Sequence, residues 1–260
     1  MTHRVRRAVI GGALAAAAVA FACTQVSTDP NYVLALQLDP PVLPSIVQSD
    51  GLHDTTGALD SLHATAFNSQ GDTVHGAPIK YLVVSGRKYA QVDSISGKML
   101  GSDTVTGLAQ VIAYVSGIQT RPQPVQVVYS PDLLSPVSAT DTVVDYDQST
   151  LKDLKLPLKV RLQHGTGTDS TVSPYRLTYA FVPPTNNTNS NPSQVQIVNA
   201  ALRPQLVDTT KSGGLSTLQL LATLVTAKGH ETVYIDVSAR KPDGSPVADT
   251  VRFAIDLTIH

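Results

Sequence analysis

The sequence predicts an all-β protein built of β-sandwich modules and preceded by an export signal. The first observation is compositional: Glu231 is the only glutamate, whereas valine, threonine, serine, aspartate, glycine and proline are plentiful. This mixture favours short strands and tight turns over helices. The second observation is that segments of alternating apolar and polar residues recur about every 8–15 residues, with turn-forming residues between them. The third is a basic and then apolar N-terminus, which is typical of exported proteins.

The N-terminus has the three parts of a secretion signal over residues 1–22. A positively charged start precedes an alanine-rich apolar run, Ala8–Ala22, which is too short to span a membrane comfortably. The small residues Ala20 and Ala22 then provide a cleavage site. The charges at the start are those of Arg4, Arg6 and Arg7.

The chain has one cysteine, Cys23, which follows these small residues directly. Here the sequence resembles bacterial lipoprotein precursors, in which such a cysteine is acylated and becomes the new N-terminus. The resemblance implies that Cys23 carries a lipid, that residues 23–31 form a tether and, with Thr24 rather than aspartate next, that the anchor lies in the outer membrane, on its periplasmic or its surface face. A lone free thiol is unusual in an exported protein, which favours lipidation over cleavage of an ordinary signal peptide before an incidental cysteine.

Residues 32–130 are predicted to form the first module. Strands are indicated by alternation over Tyr32–Asp39 and Ala109–Ala113, whereas residues 45–58 are predicted as a loop. The stretch Ala90–Gly117 resembles bacterial immunoglobulin-like domains of the Big group 2 kind, with their Ala-x-Val-Asp, glycine turn and Gly-x-Ala-x-Ile-x-Ala pattern. This resemblance implies an immunoglobulin-like sandwich and says nothing of a ligand. The matching positions are Ala90, Val92, Asp93, Gly97, Gly107, Ala109, Val111 and Ala113.

A proline-containing break predicts a linker over residues 131–140, followed by a second immunoglobulin-like β-sandwich over residues 141–260. Its clearest element is a C-terminal hairpin. Val233–Ala239 and Val251–Ile259 both alternate apolar and polar residues, and the turn residues 241–244 lie between them. One face of this hairpin is therefore expected to be buried and the other wet.

The stretch preceding this hairpin is compatible with two structures. The leucines of Leu218–Val225 fit a helical stripe as well as a strand, but the neighbouring threonines and the hairpin that follows favour a strand. The longer stretch Gly213–Ala239 loosely resembles the closing strands of invasin-type immunoglobulin-like domains, which implies the same.

Catalysis is not indicated by the sequence. The motifs G-x-S-x-G and H-E-x-x-H and a glycine-rich phosphate loop do not occur. The histidines His53, His63 and His75 are spread apart and are predicted to be solvated, and the adjacent His230 and Glu231 are expected to face opposite sides of a strand. We therefore expect no enzymatic activity and no cofactor.

Asp145 and Asp147 are candidate ligands for calcium. They lie two residues apart, which places them on one side of an extended segment, and calcium prefers carboxylate oxygens. Asp132 and Asp141 lie nearby in the sequence, close to the predicted junction of the modules. The alternative is that these aspartates are solvated in turns and on an edge strand, where they deter aggregation.

These features predict a non-enzymatic cell-envelope lipoprotein whose modules act as spacer, adhesion or assembly domains toward a protein or glycan partner. The polar stretch 183–193 is the leading exposed loop for such binding. The alternative is a carbohydrate-binding or enzyme-accessory surface lipoprotein. It requires exposed aromatic platforms, for which Tyr114 and Tyr234 are the candidates, and tryptophan is absent. Without its basic leader the chain is weakly acidic, so we expect no nucleic-acid partner.

Overall fold

The described part of the chain is all-β, as the sequence predicts. The computed structural model describes residues 29–146, 154–165, 170–183, 193–224 and 229–259. The leader, Cys23 and Asp147 lie outside these residues, as does most of the predicted loop 183–193. Within them, no helix is long and apolar enough to cross a membrane. A short 3₁₀ turn, Ser212–Gly214, interrupts the succession of strands.

Nine strands between residues 35 and 128 form what we call the first strand group. A sheet in the order β2-β9-β7-β4, with β8 attached to β7, faces two smaller pairs, β1-β3 and β5-β6. The strands are β1 (Ala35–Leu38), β2 (Ser45–Val47), β3 (Ala64–Phe67), β4 (Lys80–Ser85), β5 (Ala90–Val92), β6 (Met99–Gly101), β7 (Gly107–Val115), β8 (Ile118–Gln119) and β9 (Gln123–Val128).

Nine further strands form the second strand group. One sheet has the order β10-β12-β16-β14 and the other the order β11-β18-β17-β13-β15. The strands are β10 (Leu133–Pro136), β11 (Asp141–Tyr146), β12 (Leu154–Gln163), β13 (Arg176–Val182), β14 (Ser193–Val198), β15 (Val207–Thr209), β16 (Leu215–Leu224), β17 (Gly229–Ala239) and β18 (Val251–Ile259).

Both groups follow one strand plan. In each, the first strand pairs antiparallel with the third, β1 with β3 and β10 with β12. The second strand then crosses to the other sheet and runs parallel to the last strand, β2 beside β9 and β11 beside β18. The last strand also pairs antiparallel with the central strand of its sheet, β9 with β7 and β18 with β17. That central strand pairs in turn with β4 in the first group and with β13 in the second. This is the plan of an immunoglobulin-like sandwich whose first strand is divided between the two sheets.

The second group has a core of large side chains between its two sheets. Tyr179 and Phe253 are almost completely buried there. The alternation of Val251–Ile259 is confirmed, because Phe253 and its alternate neighbours are buried while Arg252 is exposed. The ambiguous stretch is a strand, β16, as predicted, with Leu218, Leu220 and Ala222 on its buried face.

The first group is packed with smaller residues. Ala109, Val111 and Ala113 of β7 are fully buried and face Tyr81 and Met99 in one hydrophobic cluster. Small residues bring backbone segments close together here, so little free volume is left for larger side chains.

The Ala-x-Val-Asp motif has a local structural role. The Asp93 carboxylate accepts hydrogen bonds from the backbone N–H groups of Ile95 and Ser96 and from the Ser96 hydroxyl. Gly97 follows at φ 71°, a conformation that suits glycine, and donates to the Asp93 carbonyl. These bonds fix the turn between β5 and β6, and they lower the pKa of the Asp93 carboxyl, the Ser96 backbone N–H having the largest effect.

Two segments differ from their sequence-based prediction. The predicted loop 45–58 contains β2, whose three residues are all buried beside β9. The predicted linker 131–140 contains β10, which pairs with β12 and so belongs to a sheet of the second group. In both cases the strand follows or ends in proline and is too short to show alternation, so only pairing with distant residues reveals it.

Candidate functional site

The two strand groups are joined by a packed junction. Val47 of β2 and Val128 of β9 lie in the hydrophobic cluster that forms the core of the second group. Beside them, the Ser45 hydroxyl donates a 2.6 Å hydrogen bond to the backbone carbonyl of Pro174. Strands β2 and β9 of the first group therefore contribute directly to the packing of the second.

A loop of the first group, residues 50–60, lies against the turn 241–244 of the second. The closest approach is at Gly57, where an added Cβ would lie 3.1 Å from the Pro242 carbonyl oxygen and 3.2 Å from the Gly244 nitrogen. Gly57 also has a φ of 90°, which disfavours any residue with a Cβ. Glycine at this position thus permits the close contact between the loop and the turn.

His53 anchors this loop from the inside, and the prediction that it is a solvated surface residue is wrong. It is only 8% exposed, and its Nδ1 and Nε2 atoms lie 2.9 Å from the Gly57 carbonyl and the Asp50 carboxylate respectively. Burial lowers the pKa of His53, but the hydrogen bonds to Asp50 and Gly57, with the charges of Asp50 and Asp54, outweigh it and raise the pKa overall. Since both ring nitrogens are engaged, neither is placed to accept a proton from a nucleophile.

A second histidine, His164, contacts the segment that joins the two strand groups. His164 stacks on Tyr129, with ring centroids 5.2 Å apart, and its Nδ1 lies 2.7 Å from a carboxylate oxygen of Asp132. The other Asp132 oxygen is 4.0 Å from the Lys241 ammonium group. Asp132, one of the aspartates predicted near a calcium site, is thus paired with two cationic or polar side chains.

Between the loop 50–60, the turn 241–244 and β13 lies a cleft of about 320 Å³. We call it the junction cleft. Its walls combine apolar, hydroxyl and charged side chains from both strand groups. They are Leu43, Pro44, Ser45, Asp54, Thr55, Thr56, Gly57, Tyr175, Arg176, Thr178, Arg240, Lys241, Pro242 and Gly244.

Cations dominate the charge of the junction cleft. Arg176, Arg240 and Lys241 line it, whereas Asp54 is the only acidic group among the described lining residues. The Tyr175 hydroxyl donates a 2.6 Å hydrogen bond to the Arg240 carbonyl and holds that residue at the end of β17. Burial raises the pKa of Tyr175, so the phenol stays neutral at physiological pH. The junction cleft is therefore lined mainly by cationic side chains, and the phenol of Tyr175 adds no charge to it.

The predicted calcium ligands are only partly described. Asp141 and Asp145 lie on β11, both exposed, and Asp147 lies beyond the described residues. Among the residues that the structure describes, no three carboxylate, histidine or cysteine side chains come together as metal ligands would. The pair Asp145 and Asp147 stays a prediction.

The predicted aromatic candidates do not share a surface. Tyr114 lies on β7 of the first group and Tyr234 on β17 of the second, and both are half-buried. His63 and His75 are exposed as predicted, and His230 and Glu231 do face opposite sides of β17, the first exposed and the second buried. The junction cleft itself was not predicted, because Arg176 and Arg240 read as ordinary residues of the wet faces of two separate strands.

The comparisons with known proteins identify no relative by sequence. No protein-family model matches the chain, and no curated protein matches it. Among solved structures, domains 5–6 of the S-layer protein SbsC align with a TM-score of 0.30 at 13% identity, covering 86% of this chain and 97% of that one.

Two other structures align over much of the chain. The adhesin InvE of Yersinia pseudotuberculosis aligns with a TM-score of 0.35 at 18% identity, over 85% of this chain and 58% of that one. Mouse PcdhgC3 EC1–3 aligns with a TM-score of 0.29 at 11% identity, over 70% of this chain and 54% of that one. These superpositions are too loose for the role of any of these proteins to be transferred to this chain.

Proposed function

We propose that this chain is an exported, lipid-anchored and non-enzymatic protein of the cell envelope. Its two immunoglobulin-like modules stand on the membrane through Cys23 and act as a spacer, adhesion or assembly element. The anchor lies in the outer membrane, and the modules face the periplasm or the exterior.

The observation that carries this proposal is the order of features along the chain. A basic and then apolar leader ends in small residues and a solitary Cys23, and the regular secondary structure of the described residues that follow consists of sandwich strands and one short 3₁₀ turn. A lipid on the first mature residue places such modules at a membrane surface, and the short tether 23–31 holds the first strand group close to it.

The junction supports a mechanical or positioning role. Val47, Val128 and the Ser45–Pro174 hydrogen bond tie the first group to the core of the second, so the two modules are not simply strung on a flexible linker. A stiff pair of modules presents its loops at a defined position above the membrane, which is what a spacer or adhesive element requires.

The proposal is tested by replacing Cys23 with serine in the full chain. We expect the Cys23→Ser protein to lose incorporation of an alkyne-labelled fatty acid and to leave the detergent phase on Triton X-114 partition. The matched control is Ser27→Ala, which alters the tether without touching the thiol and should behave as the wild type. A Cys23→Ser protein that still partitions and labels like the wild type would contradict anchoring through this residue.

A further inference from the structure

We propose that the junction cleft binds carboxylate side chains of an acidic peptide segment on a partner protein. This inference goes beyond the proposed envelope role by naming a ligand class for the modules, and it does not depend on the lipid at Cys23. Its basis is the arrangement of cationic groups in the cleft and the contacts that these groups leave unused.

Two arginines occupy neighbouring positions on adjacent strands. The register of β13 and β17 pairs Leu177 with Ala239, and Arg176 and Arg240 come next on the two strands. Both therefore lie on the outer face of the sheet, where they line the same cleft. Like charges at opposed cross-strand positions repel and destabilise a sheet, and a bound anion would remove this cost.

The guanidinium donors of this pair are largely available. Arg176 is half-buried, yet its guanidinium makes no hydrogen bond or ion pair to another described residue. Arg240 uses its Nη1 in a 2.9 Å bond to the Gly244 carbonyl, which orients the group and leaves other donors free. A planar guanidinium with free donors matches a carboxylate in two parallel hydrogen bonds.

Asp54, the acidic residue among the described lining residues of the cleft, forms no ion pair with these arginines. One oxygen of Asp54 accepts hydrogen bonds from the Thr56 hydroxyl and from the Thr56 and Ala58 backbone N–H groups. This aspartate thus serves its own loop rather than the opposite wall. Lys241 adds a third cation at the rim, 4.0 Å from Asp132.

The other lining residues favour a peptide over a sugar. Tyr175, the one aromatic residue among the described lining residues, is 8% exposed, so its ring offers no stacking face to a pyranose. Leu43, Pro44 and Pro242 instead provide apolar contacts for the stems and backbone of a peptide. A volume of about 320 Å³ accommodates one or two acidic side chains rather than a folded domain.

The test measures binding of a fluorescein-labelled peptide of alternating glutamate and glycine to the full chain by fluorescence anisotropy. An otherwise identical peptide with glutamine in place of glutamate and a labelled hexagalacturonate are measured in parallel. We expect the glutamate peptide to bind and the other two ligands to bind at least about tenfold more weakly. The Arg176→Gln variant should lose at least about tenfold in affinity, and Arg176→Lys should lose part of it because lysine cannot form the two parallel bonds.

The matched control is Arg203→Gln, which removes the same charge from an exposed position of the second group. It should leave binding within about twofold of the wild type. Equal losses in the Arg176→Gln and Arg203→Gln variants would show unspecific attraction and overturn the proposal. So would the absence of binding by the wild type, or tighter binding of the hexagalacturonate. Fatty-acid labelling and Triton X-114 partition of the Cys23→Ser protein read out anchoring alone, so failure of either proposal can be told from failure of the other.

Discussion

The two strand groups share a strand plan but are stabilised by different kinds of core. The second group encloses large side chains, among them Tyr179 and Phe253, between sheets of four and five strands. The first group has one sheet of comparable width and two separate strand pairs, and its central strand is packed through Ala109, Val111 and Ala113. One fold can thus be held together by a few large side chains or by close approach of small ones.

Side-chain hydroxyls make hydrogen bonds inside both cores. In the second group the Tyr179 hydroxyl lies 2.7 Å from the Ser216 hydroxyl, which itself donates to the Asp208 carboxylate at 2.6 Å. In the first group the Thr120 hydroxyl accepts a bond from the backbone N–H of Ala113, at 3.0 Å. The buried Tyr179 phenol therefore has a side-chain partner, and a buried threonine hydroxyl satisfies a backbone N–H group in the first group.

The largest expected effect is a cavity in the second core. Phe253→Ala removes a side chain that is 1% exposed, and such truncations cost about 3–5 kcal/mol through lost burial and the space left behind. Peptide-resolved hydrogen exchange in increasing urea should show loss of protection in β16 to β18 at lower urea than in the wild type. The first group should change much less.

Arg252→Ala is the matched control for this cavity. Arg252 precedes Phe253 on the same strand but is exposed and pairs with Asp236, with Nε 2.7 Å from one carboxylate oxygen. Exposed ion pairs contribute little to stability. Comparable losses from the two substitutions would show that the second group does not depend on its large buried side chains.

The first group should be destabilised when a buried side chain is enlarged rather than when one is truncated. Ala113→Leu inserts three carbon atoms at a fully buried position, and overpacking of this kind costs about 1–3 kcal/mol. The same exchange measurement should show the loss in β4, β7 and β9. The control is Ala35→Leu on the exposed side of β1, which should have little effect. A core that accepts leucine at position 113 without loss would contradict close packing by small residues.

Sequence patterns predicted the strands that alternate over many residues. The buried faces of β17 and β18 are predicted correctly, since apolar and polar residues alternate along most of each strand. β2 was missed because its three residues gain their burial from β9, far away in the sequence.

The junction cleft could not be predicted for a related reason. Arg176 and Arg240 are brought together only by the register of β13 with β17, and each is an ordinary polar position in its own strand. The sequence likewise predicts a solvated His53, because the environment that buries this residue is made by a loop and by a turn from the other strand group. Local sequence predicts which face of a strand is buried, whereas the junction depends on contacts between residues that are far apart in the sequence.

The smallest expected effect is a pH dependence at the junction, where the two groups meet. The folded state raises the pKa of His53 above its ordinary value of about 6.5, so folding favours the protonated ring. The resulting stabilisation is complete below pH ~6.5 and is lost as pH rises through the higher folded pKa. The groups facing the ring include the carboxylates of Asp50 and Asp54 and, across the junction, that of Asp243. Hydrogen bonds, chiefly from the Thr56 and Ser245 hydroxyls, lower the pKa of the Asp54 and Asp243 carboxyls, so these two groups stay ionised over the range in which His53 titrates.

We therefore expect the free energy of unfolding of the wild type to exceed that of His53→Gln by more at pH 5.5 than at pH 8.5. Part of the difference should persist at high pH, because the neutral ring still bonds to Asp50 and Gly57. The matched control is His63→Gln. His63 has the same spacing to an aspartate, with Nε2 3.1 Å from Asp60, but its side chain is 67% exposed. Urea unfolding at the two pH values, followed in the first strand group, measures the effect. If the difference in free energy of unfolding between the wild type and His53→Gln instead grows as pH rises, the folded state holds His53 as the neutral ring. The positive charge of His53 would then not stabilise the loop 50–60 at the junction.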